Sequence, residues 1–250
     1  MRCLVTGGAG FIGSHLANAL LAEGHDVIVL DDLSTGSLDN LRCAREHDGL
    51  EFVEGSVLDP ATVDSCLASV EACFHLASVV GVALVMSDPV NAVRQMTRGD
   101  DLVISAAARL RRRLVFASSS EVYGPNASGT VSENDNLSSG PPSKPRWCYA
   151  IAKLAGEALA CAHSYNGRSD MICARLFNAV GARQSGQYGM VLPSFVRHAL
   201  DGGSLQVHGD GAQTRCFTHV LDTVNALVAR DHGFLLGSDH RNSPPWLGVS

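Results

Sequence analysis

Lysine is the scarcest charged residue of this 250-residue chain, with only Lys144 and Lys153 against seventeen arginines. Acidic residues outnumber basic ones by 25 to 19, and the net charge of −6 gives no reason to expect nucleic acid or an anionic membrane as a partner. The one basic run, Arg111 to Arg113, follows an apolar-periodic stretch and is interpreted as a helix C-terminus whose charge suits the helix dipole.

The chain also lacks the cysteine and histidine spacings of metal and disulfide sites. Its eight cysteines contain no C-x-x-C pair, so we expect buried, reduced thiols in a cytoplasmic protein. The ten histidines show no ligand spacing; His75 and His208 end predicted strands and are interpreted as structural, and no metal is expected. No apolar run is long enough to span a membrane, and a first strand at residue 2 leaves no room for a signal peptide.

Strand and helix signals alternate along the chain, without an internal repeat or a low-complexity tract. Apolar runs predict strands at 2–6, 26–31, 51–54, 72–76, 114–118 and 171–176, and helical periodicity fills 11–23, 60–69, 89–110 and 148–165. This alternation predicts an α/β fold in which a doubly wound parallel (Rossmann) sheet is covered by helices on both faces. We assign residues 1–177 to this domain, which is long enough to bury one large core.

After residue 177 the pattern loosens, which predicts a small substrate-binding lobe over 178–250 interleaved with the end of the sheet. Its predicted elements are a loop at 178–189, a helix at 190–201, a strand at 204–208, a loop at 209–216, a helix at 219–230 and a strand at 233–237. The Pro/Ser/Gly-rich segment 136–145 is expected to be a surface loop that shapes access to the site.

A glycine-rich turn follows the first predicted strand. Gly7 permits the tight turn, Gly10 lets the backbone approach a pyrophosphate, and Gly13 lets the next helix pack close to the strand. A pyrophosphate is favoured at that helix N-terminus by free N–H groups and the helix dipole. The second strand ends in Asp31, the position for a carboxylate that accepts both ribose hydroxyls, so the sequence predicts a dinucleotide site. A purely structural glycine turn is the alternative.

Tyr149 and Lys153 form a Y-x-x-x-K pair on one face of a predicted helix. A lysine ammonium near a phenol favours the phenolate and lowers its pKa from about 10, which makes Tyr149 a candidate base for an alcohol proton. The pattern is common by chance, but here it uses one of only two lysines.

Serine hydroxyls and a carboxylate stand at the C-terminal end of the strand that begins at residue 114. Ligands of doubly wound sheets bind outside the carboxyl ends of the strands, so Ser118, Ser119, Ser120 and Glu121 are expected at the site. A serine there can hydrogen-bond the reacting hydroxyl and hand its proton to Tyr149. Serines that merely cap a turn are the alternative.

The combination of these motifs resembles the extended short-chain dehydrogenase/reductases and, more narrowly, the NAD-dependent nucleotide-sugar epimerase/dehydratase family. The residues that carry the resemblance, in the family's order from residue 1 to about residue 239, are Gly7-x-x-Gly10-x-x-Gly13, Asp31, His75-Leu76-Ala77-Ser78, Ser118 to Gly124, Tyr149-x-x-x-Lys153 and Arg175-Leu176-Phe177-Asn178.

The resemblance implies NAD as the cofactor, a UDP-sugar as the substrate and Ser119, Tyr149, Lys153 and Glu121 as the catalytic residues. It implies cofactor contacts from Gly7, Gly10, Phe11, Ile12, Gly13, Asp31, Asp32, Ser34, Ser56, Val57, Leu76, Ala77, Ser78, Tyr149, Lys153 and Leu176. The implied substrate contacts are Ser119, Ser120, Tyr149, Asn178, Val191 and Arg215, with Asn178 and Arg215 on the diphosphate. A surface arginine is the alternative for Arg215. NAD is expected over NADP, because Asp31 and Asp32 would repel a 2′-phosphate.

The family's reactions all begin by oxidising C4 of the sugar to a ketone, and they differ in the fate of that ketone. A 4-epimerase returns the hydride to the other face, whereas a 4,6-dehydratase needs an Asp-Glu pair where this chain has Ser120-Glu121. Decarboxylases acting on UDP-glucuronate are similar at Ser119-Ser120-Glu121, at Arg146-Trp147 and at Arg215. The segments Gly181 to Gln184 and Gly189 to Pro193 look more like epimerases, so the sequence favours a C4 epimerase narrowly, with the decarboxylase next.

Two features depart from the family pattern. The family's asparagine in the helix after Asp88-Pro89 is replaced near Gln95-Met96, and the substrate lobe is shortened at its C-terminus, ending soon after Gly237-Ser238-Asp239. The alternative to an enzyme is therefore an NAD-binding module that has lost its sugar site. The helices at 89–110 and 148–165 carry apolar faces beyond what one sheet face needs, and in the resembling family they pair across a two-fold axis, so we expect a homodimer. Covering the sheet is the simpler explanation of these faces.

Overall fold

The fold is described from a computed structural model that covers residues 1–124, 130–167, 169–186, 189–207, 209–235 and 246–249. His208, residues 236 and 237 of the predicted last strand, and Gly237-Ser238-Asp239 lie outside the described residues.

Seven parallel strands form the main sheet, in the order β3-β2-β1-β4-β5-β6-β9. The strands are β1 (Arg2–Thr6), β2 (Asp26–Asp31), β3 (Leu50–Glu54), β4 (Ala72–His75), β5 (Arg113–Ser119), β6 (Met171–Leu176) and β9 (Trp246–Val249). Two further strands, β7 (Asn178–Val180) and β8 (Phe217–His219), pair with each other in a separate parallel ribbon. The continuous apolar runs of β1 and β4 result from burial on both faces of a parallel sheet.

The helices are α1 (Phe11–Ala22), α2 (Pro60–Ala68), α3 (Val82–Ser87), α4 (Pro89–Arg109), α5 (Cys148–Tyr165), α6 (Val191–Leu200) and α7 (Val220–Leu235), with short 3₁₀ turns at Leu38–Leu41, Ala44–Glu46, Ser120–Tyr123 and Pro145–Trp147. Local sequence sets two of the starts. Asp59 and Asp88 cap α2 and α4 by accepting backbone N–H groups, and a proline follows each cap at the first helical position.

Two apolar clusters cover the two faces of the sheet. On one face α1 and α7 pack against Val5, Val29 and Phe74; on the other α2, α4 and α5 pack against Leu4, Ile28 and Phe116. The predicted doubly wound α/β fold is confirmed. Strand order reverses at β1, which lies between β2 and β4, and ligands of such sheets bind in the crevice at this point.

The predicted elements after residue 177 were partly wrong. Residues 204–207 form no strand; Leu205 and Val207 are exposed, and no neighbouring strand receives their backbone hydrogen bonds within the described part of the chain. Residues 233–235 continue helix α7, which packs on α1, so the strand predicted at 233–237 is absent over these residues, and β9 joins β6 in the sheet instead. The loop predicted at 178–189 contains β7, and the short helix α3 was not predicted.

No helix among the described residues is long and apolar enough to cross a membrane. The same part of the chain contains no group of three or more His, Cys, Asp or Glu side chains placed to hold a metal ion.

Candidate active site

The carboxyl ends of five neighbouring strands meet at one edge of the sheet. Strand register pairs Thr6 with Leu30 and His75, and it pairs Ser119 with Leu176. The residues expected at a cofactor and a catalytic site from β1, β2, β4, β5 and β6 therefore lie along the same edge.

The glycine turn between β1 and α1 is packed so closely that it tolerates no side chain at two positions. Gly7 has a φ of +68°, and a Cβ there would lie 2.8 Å from the backbone nitrogen of Ala77. A Cβ on Gly13 would lie 2.2 Å from the Gly7 carbonyl oxygen. The turn thus brings its backbone against the segment after β4, and glycines before and within the first turn of α1 suit the close backbone approach that a pyrophosphate requires.

Asp31 holds the glycine turn from the end of β2. Its carboxylate accepts the backbone N–H of Ala9 at 2.9 Å and that of Leu33 at 2.8 Å. Burial raises the pKa of Asp31, and these two N–H groups oppose that effect. A carboxylate has about four acceptor sites, so capacity is left for ribose hydroxyls. Asp32 differs: it is exposed and accepts both the N–H and the hydroxyl of Ser34.

The other residues expected at the cofactor lie on the loops after β3, β4 and β6. Ser56 accepts the backbone N–H of Leu58 at 3.3 Å, and Val57 packs against the helix α4 at Gly99. Ala77 donates its N–H to the Thr6 hydroxyl at 3.2 Å. The Ser78 hydroxyl is buried with no hydrogen-bond partner among the described residues, as expected of a group that faces a ligand. Phe11, Ile12 and Leu76 are half-buried, and Leu176 is buried. All four pack in the apolar cluster on the face of the sheet that α1 and α7 cover.

Tyr149 and Lys153 lie on the first turns of α5, beside the end of β5. A hydrogen bond with Ser119 favours the Tyr149 phenolate. The pKa of Tyr149 is nevertheless raised, chiefly by burial and then by the negative charge of Glu121, where the sequence analysis expected lysine to lower it. Lys153 is fully buried, with its Nζ 4.7 Å from the centre of the Phe116 ring, and burial lowers its pKa while Asp100 and Glu157 raise it.

Glu121 interacts electrostatically with Tyr149 and with two arginines. Its pKa is raised by burial, an effect that the positive charges of Arg146 and Arg215 oppose. Arg146 stacks 4.3 Å from the Trp147 ring, and the buried Trp147 is in turn covered by the loop at Gly140, where a Cβ would meet its ring at 2.1 Å. The segment 136–145 thus packs on Trp147 through Gly140, and its role in access to the site stays a prediction.

The remaining residues expected at the substrate lie on β7, on the loop before β8, at the start of α6 and on the 3₁₀ turn after β5. Asn178 donates its amide N–H to the Cys216 carbonyl at 2.9 Å, and Arg215, the residue before it, is exposed. Val191, at the start of α6, is also exposed. Ser120 lies on the 3₁₀ turn next to Glu121. The charge of Arg215 acts on Glu121. The sequence analysis assigned this arginine to the diphosphate and also noted that UDP-glucuronate decarboxylases are similar at this position.

Comparison with known proteins agrees with this geometry. Residues 3–232 match the model of the NAD dependent epimerase/dehydratase family. The chain belongs to this family. The predicted family and the predicted cofactor, NAD, are confirmed.

Among curated relatives, the UDP-N-acetyl-alpha-D-glucosaminuronate decarboxylase of Bacillus cytotoxicus is 39% identical over 91% of this chain and 70% of its own length. The UDP-glucuronic acid decarboxylase 1 of Danio rerio is 36% identical over 91% of this chain and 53% of its own length, so this chain spans about half of that relative. Among solved structures, UDP-glucuronic acid 4-epimerase from Bacillus cereus, in complex with UDP-glucuronic acid and NAD, matches with a TM-score of 0.86 at 27% identity, over 100% of this chain and 77% of that one.

Sequence reasoning missed two polar residues behind the family's catalytic pair and interpreted a third as structural. These residues are Asp100, Thr6 and His75, and all three are buried. His75 hydrogen-bonds both Thr6 and Asp100, and Asp100 lies next to Lys153. A signal for Asp100 was present, because it occupies a position on the buried stripe of α4 between Met96 and Val103, where a carboxylate is costly unless it has a partner.

Proposed function

We propose that this chain acts on a UDP-hexuronate, oxidises its C4 hydroxyl and decarboxylates the resulting 4-keto sugar. The observation that carries the proposal is the position of Glu121, which is near Tyr149 and under the charges of Arg146 and Arg215. An arginine pair beside the reacting centre suits a substrate that carries a carboxylate. The sequence alone favoured epimerisation narrowly over decarboxylation. The decarboxylases among the curated relatives support placing decarboxylation first.

The first step is a proton transfer by residues of this chain. Tyr149 takes the C4 hydroxyl proton, Ser119 orients the hydroxyl, and the ammonium of Lys153 stabilises the phenolate. Bound NAD supplies the acceptor for the hydride that leaves C4. Burial raises the pKa of Tyr149, so a positive charge near the phenol, such as that of Lys153, would favour the phenolate.

The second step exploits the position of the C4 ketone, which is β to the C6 carboxylate. The C5–C6 bond breaks, its electron pair moves into an enolate on the C4 oxygen, and carbon dioxide leaves. A proton then adds to C5. Glu121 suits this role because burial raises its pKa and keeps it protonated at a higher pH than an ordinary glutamate. The arginines would hold the carboxylate before it leaves.

The test is to incubate the protein with NAD and UDP-glucuronate labelled with ¹³C at C6 and to monitor the products by NMR. Decarboxylation predicts labelled carbon dioxide and a pentose or 4-keto-pentose. Both Glu121→Gln and Arg215→Ala should abolish carbon dioxide release. Arg197→Ala, at an exposed arginine of α6, is the matched control and should leave the release unchanged. Label that stays in the sugar throughout would refute decarboxylation.

A UDP-hexuronate 4-epimerase is the second candidate, supported by the likeness to the Bacillus cereus 4-epimerase. It shares the substrate and the 4-keto stage, but it breaks no C5–C6 bond and adds no proton to C5, so Glu121→Gln should matter little. A 4-epimer without carbon dioxide in the same NMR experiment would identify this activity, and turnover of UDP-glucose would extend the substrate to neutral hexoses. If NAD binds but neither UDP nor any UDP-sugar does, the chain is a binding module and both proposals fail.

We also propose that the protein is a homodimer. Side chains on one face of α5, including Ile151 and Leu154, are apolar and only half-buried, and Ala158 among them is exposed. A small, flat apolar helix face of this kind suits a second copy related by a two-fold axis. Light scattering at micromolar concentration should give twice the mass of the chain; the mass of a monomer would contradict the proposal.

A further inference from the structure

A buried chain of polar side chains runs behind the catalytic pair and connects it to the cofactor loops. The Thr6 hydroxyl and His75 Nδ1 are 2.7 Å apart, and His75 Nε2 is 3.1 Å from Asp100 Oδ1. The same carboxylate oxygen lies 4.0 Å from Lys153 Nζ. All four residues are at most 2% exposed, so water does not screen their interactions.

Hydrogen-bond directions along this chain are consistent with one proton arrangement. The Thr6 hydroxyl oxygen accepts the Ala77 N–H, so its own proton is available to donate to His75 Nδ1. The protonated Nε2 of a neutral His75 then donates to Asp100. In this arrangement Asp100 is an anion, held by one imidazole, and its charge is available to Lys153.

The second oxygen of Asp100 supports this assignment. Oδ2 is buried and has no hydrogen-bond partner among the described residues. It fits against α5 only because residue 156 is glycine, where a Cβ would lie 3.1 Å from Oδ2 and 2.5 Å from the Phe116 ring. A buried carboxylate with a free oxygen is costly unless a cation lies near it. Lys153 is such a cation, with its Nζ 4.0 Å from the other oxygen of the carboxylate, Oδ1.

We propose that Asp100 is a positioning residue that keeps Lys153 charged, and that His75 and Thr6 fix Asp100 in place from the cofactor side of the sheet. Neither Asp100 nor Thr6 belongs to the Y-x-x-x-K pattern, and Asp100 lies on α4, opposite the helix that carries Lys153. Because Thr6 immediately precedes the glycine turn, the network ties the lysine to the backbone that cradles the cofactor.

Other charged groups near Lys153 do not replace Asp100. Glu157, one turn along α5, is engaged by both nitrogens of the Arg175 fork at 2.9 and 3.0 Å, so most of its charge is already balanced. Glu121 acts on Tyr149 from the 3₁₀ turn after β5 and is itself opposed by Arg146 and Arg215. Tyr149, the phenol that Lys153 serves, lies one turn earlier on the same helix.

The scarcity of lysine makes the proposal directly measurable. Lysine labelled with ¹³C at Cε gives only two side-chain signals, from Lys144 and Lys153, and the exposed Lys144 serves as the reference within each sample. In the wild-type protein Lys153 should show the shift of a charged ammonium at pH 7. In Asp100→Asn, which keeps the shape and the acceptor for His75, Lys153 should lose its proton at a pH at least one unit lower.

Asp101→Asn is the matched control, because Asp101 is the exposed neighbour of Asp100 and accepts a hydrogen bond from Ser105 on the outer face of α4. It should leave the Lys153 titration unchanged. Equal titration of Lys153 in the wild type and in Asp100→Asn would overturn the proposal. If Asp100→Asn does not fold, the wild type still decides, since a neutral Lys153 at pH 7 would also refute it. The proposal concerns the site of the proposed function, but the titration needs no sugar, so a wrong assignment of the reaction would leave this test intact.

Discussion

The ion pair between Arg175 and Glu157 offers the sharpest prediction for stability. The guanidinium binds both carboxylate oxygens, at 3.0 Å through Nε and at 2.9 Å through Nη2, and both side chains are 1% exposed. Arg175 also donates to the Glu133 carbonyl at 3.1 Å and lies 4.9 Å from the Tyr123 ring. We therefore expect Glu157→Gln, which keeps the shape and removes the charge, to leave the arginine without its counter-ion in the core.

The burial of the pair determines how much the substitution lowers the free energy of unfolding. Breaking a buried ion pair by removing one partner costs about 3–5 kcal/mol, because the remaining charge is not compensated. For a domain of about this size, each kcal/mol lowers the melting temperature by about 2–4 °C, so Glu157→Gln should melt about 6–20 °C below the wild type.

Urea unfolding and calorimetry would measure this loss. The exposed pair between Arg109 and Asp64 provides the control, since Asp64→Asn should cost no more than about 1 kcal/mol. Replacing both partners with Glu157→Leu and Arg175→Met should cost less than Glu157→Gln alone, because no unpaired charge is left in the core. If Glu157→Gln lowers the free energy of unfolding by less than about 1 kcal/mol, the substitution does not leave an uncompensated charge on Arg175 in the core, and the reasoning is wrong.

Three further predictions concern the site. Tyr149→Phe should lower turnover by about 10²–10⁴ while NAD binding, measured by calorimetry, persists; unchanged turnover would exclude Tyr149 as the base. Gly13→Ala should abolish NAD binding, because its Cβ would lie 2.2 Å from the Gly7 carbonyl oxygen, whereas Gly203→Ala, with 3.5 Å to its nearest neighbour, should not. Burial raises the folded-state pKa of Glu121, so this group contributes stability that is present below its unfolded-state pKa and is lost as the pH rises through the folded-state pKa. Melting temperatures measured across that range should accordingly fall less in Glu121→Gln than in the wild type, and an equal fall in both would refute this.

Most of the first six strands could be predicted because they are short apolar runs buried on both faces, and such runs carry their signal locally; β3, at the edge of the sheet, is only half-buried. Several elements after residue 177 could not be predicted in this way. Leu205 and Val207 alternate with polar residues as a strand would, but strand formation depends on a neighbour with free backbone groups, which the sequence does not reveal. For the same reason β7 was missed, since its partner β8 lies far along the chain.

The candidate site shows the same division. The glycine turn, Asp31 and the Tyr149–Lys153 pair fit patterns that could be identified within a few residues of sequence. The surroundings of those residues come from other elements: Asp100 reaches Lys153 from α4, and Arg215 acts on Glu121 from the loop before β8. Consequently the direction of the Tyr149 pKa shift, which depends on burial and on Glu121, could not be derived from the spacing of four alone.

The strand order also has a consequence for synthesis. β1 is complete at Thr6 but needs β4 on its second side, and β4 begins only at Ala72, after β2 and β3. At about 5–20 residues per second, the roughly 40 residues between the end of β2 and the start of β4 take about 2–8 seconds to emerge. During that interval Leu4 and Val5 border an open strand edge, which can pair with other chains. A nascent chain of this topology therefore benefits from protection until β1, an interior strand of the sheet, is paired on both sides.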